Sequence, residues 1–329
     1  FTTRSEILAQ NGMAATSQPL ATQVALDILK KGGSAIDAAI AANAVLGLVE
    51  PASCGIGGDV FAIVWSADEK KLYGLNGSGR APKSLSIDYF MEKGLNYVPF
   101  YGPLPVSVPG CVDGWFKLHE KFGRLSIEEI LQPAIDYGRN GFPVSEVIAY
   151  EMASNYEGVK DQPGFAQTYM PAGRPPVKGE VFVNQDLANT YEQIAKDGRD
   201  VFYKGSIAKT IDSYMKKHGG FLKYEDLASH TSNWEILLSD EYASQRRNLM
   251  SPDKAADTYP AGDMEIETGN TTYLTVADKE GNMVSFIQSI YSEFASGMVP
   301  DGLGFVLQNR GQMFNVQDRS HANALEPGK

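Results

Sequence analysis

Two threonines, Thr271 and Thr272, stand at the start of a predicted strand, just behind Gly269 and Asn270. A threonine hydroxyl is a weak nucleophile, but a free α-amino group on the same residue can act as its base. That amine has a pKa of roughly 8, so a useful fraction is neutral near neutral pH. Cleavage of the Asn270–Thr271 bond would be needed to free it. Threonine is also common in strands, so the residues alone leave both a structural role and a nucleophile open for Thr271.

Other catalytic patterns are missing from the sequence or stand in the wrong context. Residues 55–58 read G-I-G-G, but they follow a predicted helix and lead into a strand, the reverse of a phosphate-binding loop. We interpret them as a tight backbone turn. There is no G-x-S-x-G elbow, and His119, His218, His230 and His321 show no metal-ligand spacing. We therefore expect no metal and no cofactor.

The composition is that of an ordinary globular chain, with 43% apolar and 21% charged residues among 329. The net charge of -11 disfavours binding to nucleic acid or to anionic membranes. No run reaches the ~18 apolar residues of a membrane span, and nothing near Phe1 reads as a signal peptide. We therefore expect the protein to bind neither nucleic acid nor membranes. We expect a cytoplasmic location, with an extracytoplasmic one left open because the chain does not begin with Met.

The elements that would position Thr271 begin with two helices between Pro19 and Val49. The first carries an apolar stripe at helical spacing and ends at Gly32 and Gly33. Ser34 caps the second, which is apolar on nearly all sides and dense in alanine, so we expect it to be buried. Two strands follow, at residues 60–65 and 71–76, and form a predicted hairpin.

The rest of the chain alternates predicted helices with a second hairpin. Residues 111–122, 126–140, 185–196 and 206–218 carry apolar residues at helical spacing. Residues 271–277 and 283–289 have the β-branched and aromatic content of strands and are separated by a turn. This order predicts helix layers over antiparallel sheet.

Groups of motifs spread over nearly the whole chain share one pattern. They are A-A-T-S-Q-P-L-A at residues 14–21, G-G-S-A-I-D-A-A at 32–39, Glu50 and Pro51 with G-I-G-G at 55–58, residues 106–110, and T-T-Y-L-T-V-A-D at 271–278 with Gly281 and Asn282. Together they resemble the γ-glutamyltransferases (γ-glutamyltranspeptidases), a family of N-terminal-nucleophile hydrolases.

The resemblance implies an α+β fold, the four-layer αββα sandwich, with a helix-rich large subunit. It implies a proenzyme that cuts itself between Asn270 and Thr271 into residues 1–270 and 271–329. Thr271 would then attack a small-molecule amide or γ-glutamyl substrate and carry the acyl group, which water or an amine releases. Ser289 stands where the family has a supporting hydroxyl. The two parts would stay associated, and a homodimer of the processed unit is left open.

The sequence departs from the family in the residues that hold the γ-glutamyl group. In the family's R-E-x-A-P motif an arginine grips the substrate α-carboxylate; here Ser78 takes its place and Arg80 is displaced by two positions. The motif N-N-Q/E-M-D-D-F corresponds to Q-N-R-G-Q-M-F at 308–314, so Asn309 is kept but Arg310 and Met313 are substitutions. A family asparagine corresponds to Tyr291.

These substitutions favour a different acyl group. A cation and a thioether do not suit an ammonium, whereas the guanidinium groups of Arg310 and Arg80 match a carboxylate. We therefore predict a substrate site of Arg80, Asn309, Arg310 and Tyr291, with a structural role for Arg310 left open. The pattern resembles the branch that includes amidases for oxamate-like or dicarboxylic acyl groups and cephalosporin acylases.

Two alternatives stay open. The first is a true γ-glutamyltransferase or glutathione hydrolase with shifted substrate contacts. The second is a non-catalytic binding relative of the same fold. The resemblance also indicates that the sequence is incomplete near residues 235–263 and after residue 329, where the family continues into a long helical stretch and the oxyanion-hole glycines.

Overall fold

A computed structural model describes residues 5–234 and 271–329. Its centre is a six-stranded antiparallel sheet in the order β1-β7-β8-β2-β3-β6. The strands are β1 (Gly12–Ala15), β2 (Asp59–Ser66), β3 (Lys71–Gly77), β6 (Asn233–Trp234), β7 (Thr272–Asp278) and β8 (Met283–Ser289). A separate pair consists of β4 (Phe142–Pro143) and β5 (Val181–Phe182). Both predicted hairpins are confirmed.

The helices cover most of the chain between β3 and β6. The two predicted at the start are confirmed as α1 (Pro19–Lys30) and α2 (Ala35–Val49), and the four predicted later correspond to α4, α5, α8 and α10. The full set after α2 is α3 (Ile87–Glu92), α4 (Cys111–Phe122), α5 (Ile127–Asn140), α6 (Glu146–Asn155), α7 (Phe165–Tyr169), α8 (Gln185–Asp197), α9 (Arg199–Tyr203), α10 (Ser206–Lys217) and α11 (Tyr224–Ala228).

Helix α2 is the centre of the core, as its apolar composition predicts. Every one of its residues is buried, and it contacts β7 and β8 on one side and α1, α4 and α5 on others. Ser34 and Asp37 form a capping box at its start. The Asp37 carboxylate also accepts the backbone N–H groups of Arg124 and Leu125, which ties α2 to the segment before α5. Its alanines allow these neighbours to approach closely.

The opposite face of the sheet carries large apolar side chains that are more than a third exposed. They occupy alternate positions of neighbouring strands, as the two-residue period of a strand requires. The set is Met13, Phe61, Ile63, Tyr273, Met283 and Ile287. The described residues thus supply one helix layer and one sheet layer of the predicted sandwich.

The two predicted subunits share this sheet. Strands β7 and β8 lie after residue 270, yet β7 pairs with β1 and β8 pairs with β2, both of which lie before it. Backbone hydrogen bonds on both sides therefore hold β7 and β8 in the sheet whether or not the chain is cut. The predicted gap near residues 235–263 and the residue Asn270 lie outside the described residues.

A buried polar cluster joins α4 to the segment that leads into β6. The fully buried Asp113 accepts hydrogen bonds from the guanidinium of Arg199 and the backbone N–H of Ser232. Arg199 also donates to the carbonyl of His230 at 2.6 Å, and the imidazole stacks on Tyr203 with ring centroids 5.3 Å apart. Burial, with a smaller contribution from nearby arginines, lowers the pKa of His230 to about 4, against the opposing effect of Asp113.

His230 should make the protein less stable in acid. Because its folded pKa lies near 4 and its unfolded pKa near 6.5, the unfolded chain takes up the proton first as the pH falls. The free energy by which neutral His230 favours the folded state is fully present above the unfolded pKa of 6.5. It is lost as the pH falls from there to about 4, by about 3 kcal/mol in total.

We expect His230→Gln to remove this loss, which thermal unfolding midpoints at about pH 7.5 and about pH 4.5 would measure. Comparing the variant with wild type isolates His230. Burial raises the pKa of both Asp59 and Glu50, so these carboxyl groups make the folded state more stable in acid. They are present in both proteins and do not affect the comparison. The same acid sensitivity in both proteins would contradict the prediction.

Among the described residues, no helix is both long enough and apolar enough to cross a membrane. Within those same ranges, no group of three His, Cys, Asp or Glu side chains is placed to hold a metal ion.

Candidate active site

Three polar side chains lie in a row where β7, β8 and β2 meet. The hydroxyl of Thr271 lies 3.3 Å from the hydroxyl of Ser289, and Ser289 is the register partner of Asp59 on the next strand. The alternation of the strands points all three to the same face, opposite α2. The predicted nucleophile and the predicted supporting hydroxyl are therefore neighbours in the structure.

The adjacent Thr272 points the other way. Its side chain is buried on the helix side of the sheet, beside Glu50 and Cys54. Burial raises the pKa of Glu50, which also accepts a 2.5 Å hydrogen bond from Ser17. Of the two threonines, Thr271 is the one that is exposed and has a hydroxyl neighbour at the strand end.

Tyr291 fixes the Ser289 hydroxyl from the other side. Its backbone N–H donates to the Ser289 Oγ at 2.9 Å. The backbone of Tyr291 adopts φ +85°, a conformation that costs a non-glycine residue roughly 1–3 kcal/mol. Phe294 and Ala295 also have positive φ, so the chain turns sharply after β8. This turn brings the Tyr291 ring next to the residues around 310.

The glycines of residues 55–58 bring the loop before β2 against the site. A Cβ on Gly58 would lie 2.1 Å from the carbonyl oxygen of Ser289, and one on Gly57 would lie 1.9 Å from that of Val306. The side chain of Gln288 holds Gly55 through both its backbone groups, at 2.7 Å and 2.6 Å. The loop is therefore a close backbone contact that supports Ser289, in agreement with its interpretation as a tight turn.

Arg310 reaches the row through Asp59. Its Nε donates to the carboxylate of Asp59, and its guanidinium carbon lies 5.4 Å from the ring centroid of Tyr291. The hydroxyl of Tyr291 donates to Gln312 at 3.2 Å. Two of the predicted substrate residues, Arg310 and Tyr291, thus lie together at the end of the row, where Arg310 contacts Asp59 and Tyr291 contacts Ser289.

The other two predicted substrate residues lie differently. Asn309 is fully buried, and its amide bonds to the carbonyl of Phe100 at 2.9 Å and to the hydroxyl of Ser292 at 2.6 Å. It lies beneath the site, where it supports the turn that carries Tyr291. Arg80 is exposed, and its guanidinium lies 3.4 Å from the carbonyl of Gly328. Substrate contacts for both residues stay predictions.

Three further residues, Asp59, Gln288 and Gln308, belong to the site but were not predicted as site residues from the sequence. Asp59 is 1% exposed, and its Oδ1 accepts the backbone N–H of Gly79 and the amide of Gln308, both at 2.9 Å. Burial raises the pKa of Asp59, against the opposing effects of Arg310 and Gln308. One signal was available: a carboxylate at the start of an apolar strand needs a cation or several donors nearby.

The model of the family described as Gamma-glutamyltranspeptidase matches residues 21–236 and 231–329, nearly the whole chain. The chain belongs to the gamma-glutamyltranspeptidase family. The predicted family and the predicted N-terminal-nucleophile fold are both confirmed. Several relatives are named as hydrolase, amidohydrolase or acylase proenzymes, and this chain is an amidohydrolase or acyltransferase of the same family.

The chain is 30% identical to the glutathione hydrolase-like YwrD proenzyme of Bacillus subtilis in an alignment that covers 98% of this chain and 75% of the relative. It is also 30% identical to the oxamate amidohydrolase proenzyme of Klebsiella pneumoniae, covering 99% of this chain and 75% of that protein. The crystal structure of cephalosporin acylase from Bacillus halodurans matches with a TM-score of 0.86 and 37% identity, over 100% of this chain and 75% of that one.

Proposed function

We propose that Thr271 is the nucleophile of this gamma-glutamyltranspeptidase family enzyme and that its preferred substrate is an amide whose small acyl group carries a carboxylate. The observation that carries the proposal is the row at the strand ends, in which Thr271 contacts Ser289 at 3.3 Å and Asp59 holds Arg310 beside Tyr291. The acyl carbonyl would lie at the hydroxyl, and the carboxylate would lie at the guanidinium.

The chemistry begins with cleavage of the bond before Thr271, which gives the residue a free α-amino group. That amine takes the hydroxyl proton as the Thr271 oxygen attacks the amide carbonyl. The tetrahedral intermediate then collapses, the amine product leaves with the proton, and an ester to Thr271 remains. Water repeats the sequence and releases the carboxylic acid. Ser289 orients the Thr271 oxygen through their hydrogen bond.

The intact mass of the purified protein under denaturing conditions tests this proposal directly. We expect two polypeptides, the smaller of which begins at Thr271. One uncut chain without amidase activity would overturn the proposal and favour the non-catalytic relative. Cleavage at another residue would move the nucleophile away from Thr271.

The relatives' names support two substrate classes, so the acyl group needs its own test. The oxamate amidohydrolase and the cephalosporin acylase agree with a carboxylate-directed site, whereas the glutathione hydrolases of Bacillus subtilis favour a γ-glutamyl group. Release of ammonia from oxamate, and hydrolysis of glutaryl- and γ-glutamyl-p-nitroanilide, separate the two. A γ-glutamyl group brings an ammonium that the Arg310 cation would repel, so we expect it to be the poorer substrate.

A further inference from the structure

Asp59 is a carboxylate that the strand geometry places close to the nucleophile although substrate cannot reach it. It begins β2 opposite Ser289, two strands from Thr271, which corresponds to roughly 10 Å across the sheet. Its side chain is buried, and three donors surround it: the N–H of Gly79, the amide of Gln308 and the Nε of Arg310. A buried carboxylate at such a position needs all of these partners.

Arg310 connects this buried carboxylate to the open side of the site. Its side chain is 27% exposed, and its Nε donates a hydrogen bond to the carboxylate of Asp59. Within residues 5–234 and 271–329, its two terminal NH₂ groups make no hydrogen bond, so they can receive a second carboxylate as a fork. The Tyr291 ring lies against the guanidinium and limits its rotation.

We infer that Asp59 is a positioning residue, which fixes the Arg310 guanidinium through Nε so that its terminal NH₂ groups face the carboxylate of the acyl group beside Thr271. The inference rests on the proposed function. A long arginine side chain that is already held loses less conformational entropy when substrate binds. The contribution of Asp59 is geometric, because its own negative charge weakens the attraction between Arg310 and an anionic substrate.

Asp59→Asn is the decisive variant. An asparagine has one acceptor oxygen and an NH₂ group that only donates, so it cannot accept from Gly79 and Gln308 on one side and from Arg310 on the other. We expect kcat/KM for glutaryl-p-nitroanilide to fall roughly tenfold or more, and kcat/KM for the neutral butyryl-p-nitroanilide to change less than about threefold. The ratio of the two values is the readout, since a general loss of folded enzyme lowers both equally.

Asp113→Asn is the matched control, because Asp113 is also buried and paired with an arginine but belongs to the α4 cluster. It should leave the ratio unchanged. The double variant Asp59→Asn with Arg310→Gln should have the ratio of Arg310→Gln alone, since Asp59 acts through Arg310. Additive losses would show that Asp59 acts by another route and would overturn the inference.

Asp59→Glu keeps the charge of the ion pair, and it tests the same inference if the asparagine variant does not fold. It displaces the guanidinium by the length of one methylene group, so we expect a ratio below that of wild type. A wild-type ratio in every soluble Asp59 variant, or a higher ratio in Asp59→Asn, overturns the inference. That result would leave the proposed function intact as long as the wild-type enzyme is cut and turns over both amides. An uncut, inactive wild-type chain would contradict the proposed function itself.

Discussion

Replacing Thr271 with alanine is expected to leave the chain uncut and to lower amide hydrolysis roughly 10³-fold or more. The variant removes the oxygen that lies 3.3 Å from Ser289, which we propose carries the acyl group and which we also expect to attack the preceding peptide carbonyl in self-cleavage. Because the two steps use the same atom, they should be lost together. Denaturing mass spectrometry and hydrolysis of glutaryl-p-nitroanilide measure the two losses on one preparation.

The neighbouring threonine provides the control. Thr272→Val removes a hydroxyl and keeps the shape of the side chain, but this residue is buried on the helix side of the sheet. We expect the variant to be cut and to hydrolyse the same amide within about threefold of wild type. A cut Thr271→Ala chain, or equal losses in both variants, would show that Thr271 is not the nucleophile.

The meeting of Thr271 and Ser289 follows from the hairpin in which they lie. In the observed register Thr272 pairs with Gln288 and Ala277 with Met283, so the next pair outward is Thr271 and Ser289. Both strands and the short turn between them could be predicted from the sequence, and such a turn determines the register of the pair. This part of the site could therefore be predicted from local pattern alone.

The surroundings of Arg310 could not be predicted in this way. Its contact with Asp59 joins residues that are 251 positions apart, and it depends on the sharp turn at Tyr291, whose positive φ no local propensity indicates. Strand β1 was missed for a related reason, because four residues of mixed polarity become a strand only when β7 pairs with them. Long-range pairing decides both cases.

The layered fold could be predicted from the sequence only in part. Helix α2 could be recognised because a segment apolar on all sides has to be buried, and the structure surrounds it with the sheet and with α1, α4 and α5. The positions of β7 and β8 between β1 and β2 were not visible in the sequence. This insertion matters for the proposed function, since it places Thr271, the proposed new N-terminus, in the middle of a sheet built by residues from both sides of the proposed cut.

Arg310→Gln should remove the preference for a carboxylate on the acyl group. The wild-type guanidinium offers two terminal NH₂ groups, and charge-assisted hydrogen bonds of this kind contribute about 1.5–3 kcal/mol each. Because loss of both bonds corresponds to roughly 100-fold or more, we expect kcat/KM for glutaryl-p-nitroanilide to fall by at least that factor, and the value for butyryl-p-nitroanilide to stay within about threefold. The variant also leaves the buried Asp59 without its cation, so a lower thermal midpoint should accompany the change.

Arg80→Gln separates the carboxylate-directed enzyme from the γ-glutamyl alternative. Arg80 is exposed beside the carbonyl of Gly328, whereas Arg310 is held by Asp59, which lies in the same row as Thr271, so the two substitutions should differ. If Arg310 grips the acyl carboxylate, Arg80→Gln leaves glutaryl hydrolysis within about threefold of wild type. A γ-glutamyl enzyme with shifted contacts would show the reverse, with γ-glutamyl-p-nitroanilide hydrolysis lost in Arg80→Gln and kept in Arg310→Gln. The outcome depends on which guanidinium meets a carboxylate, because a cation at Arg310 repels the α-ammonium that the γ-glutamyl group brings with it.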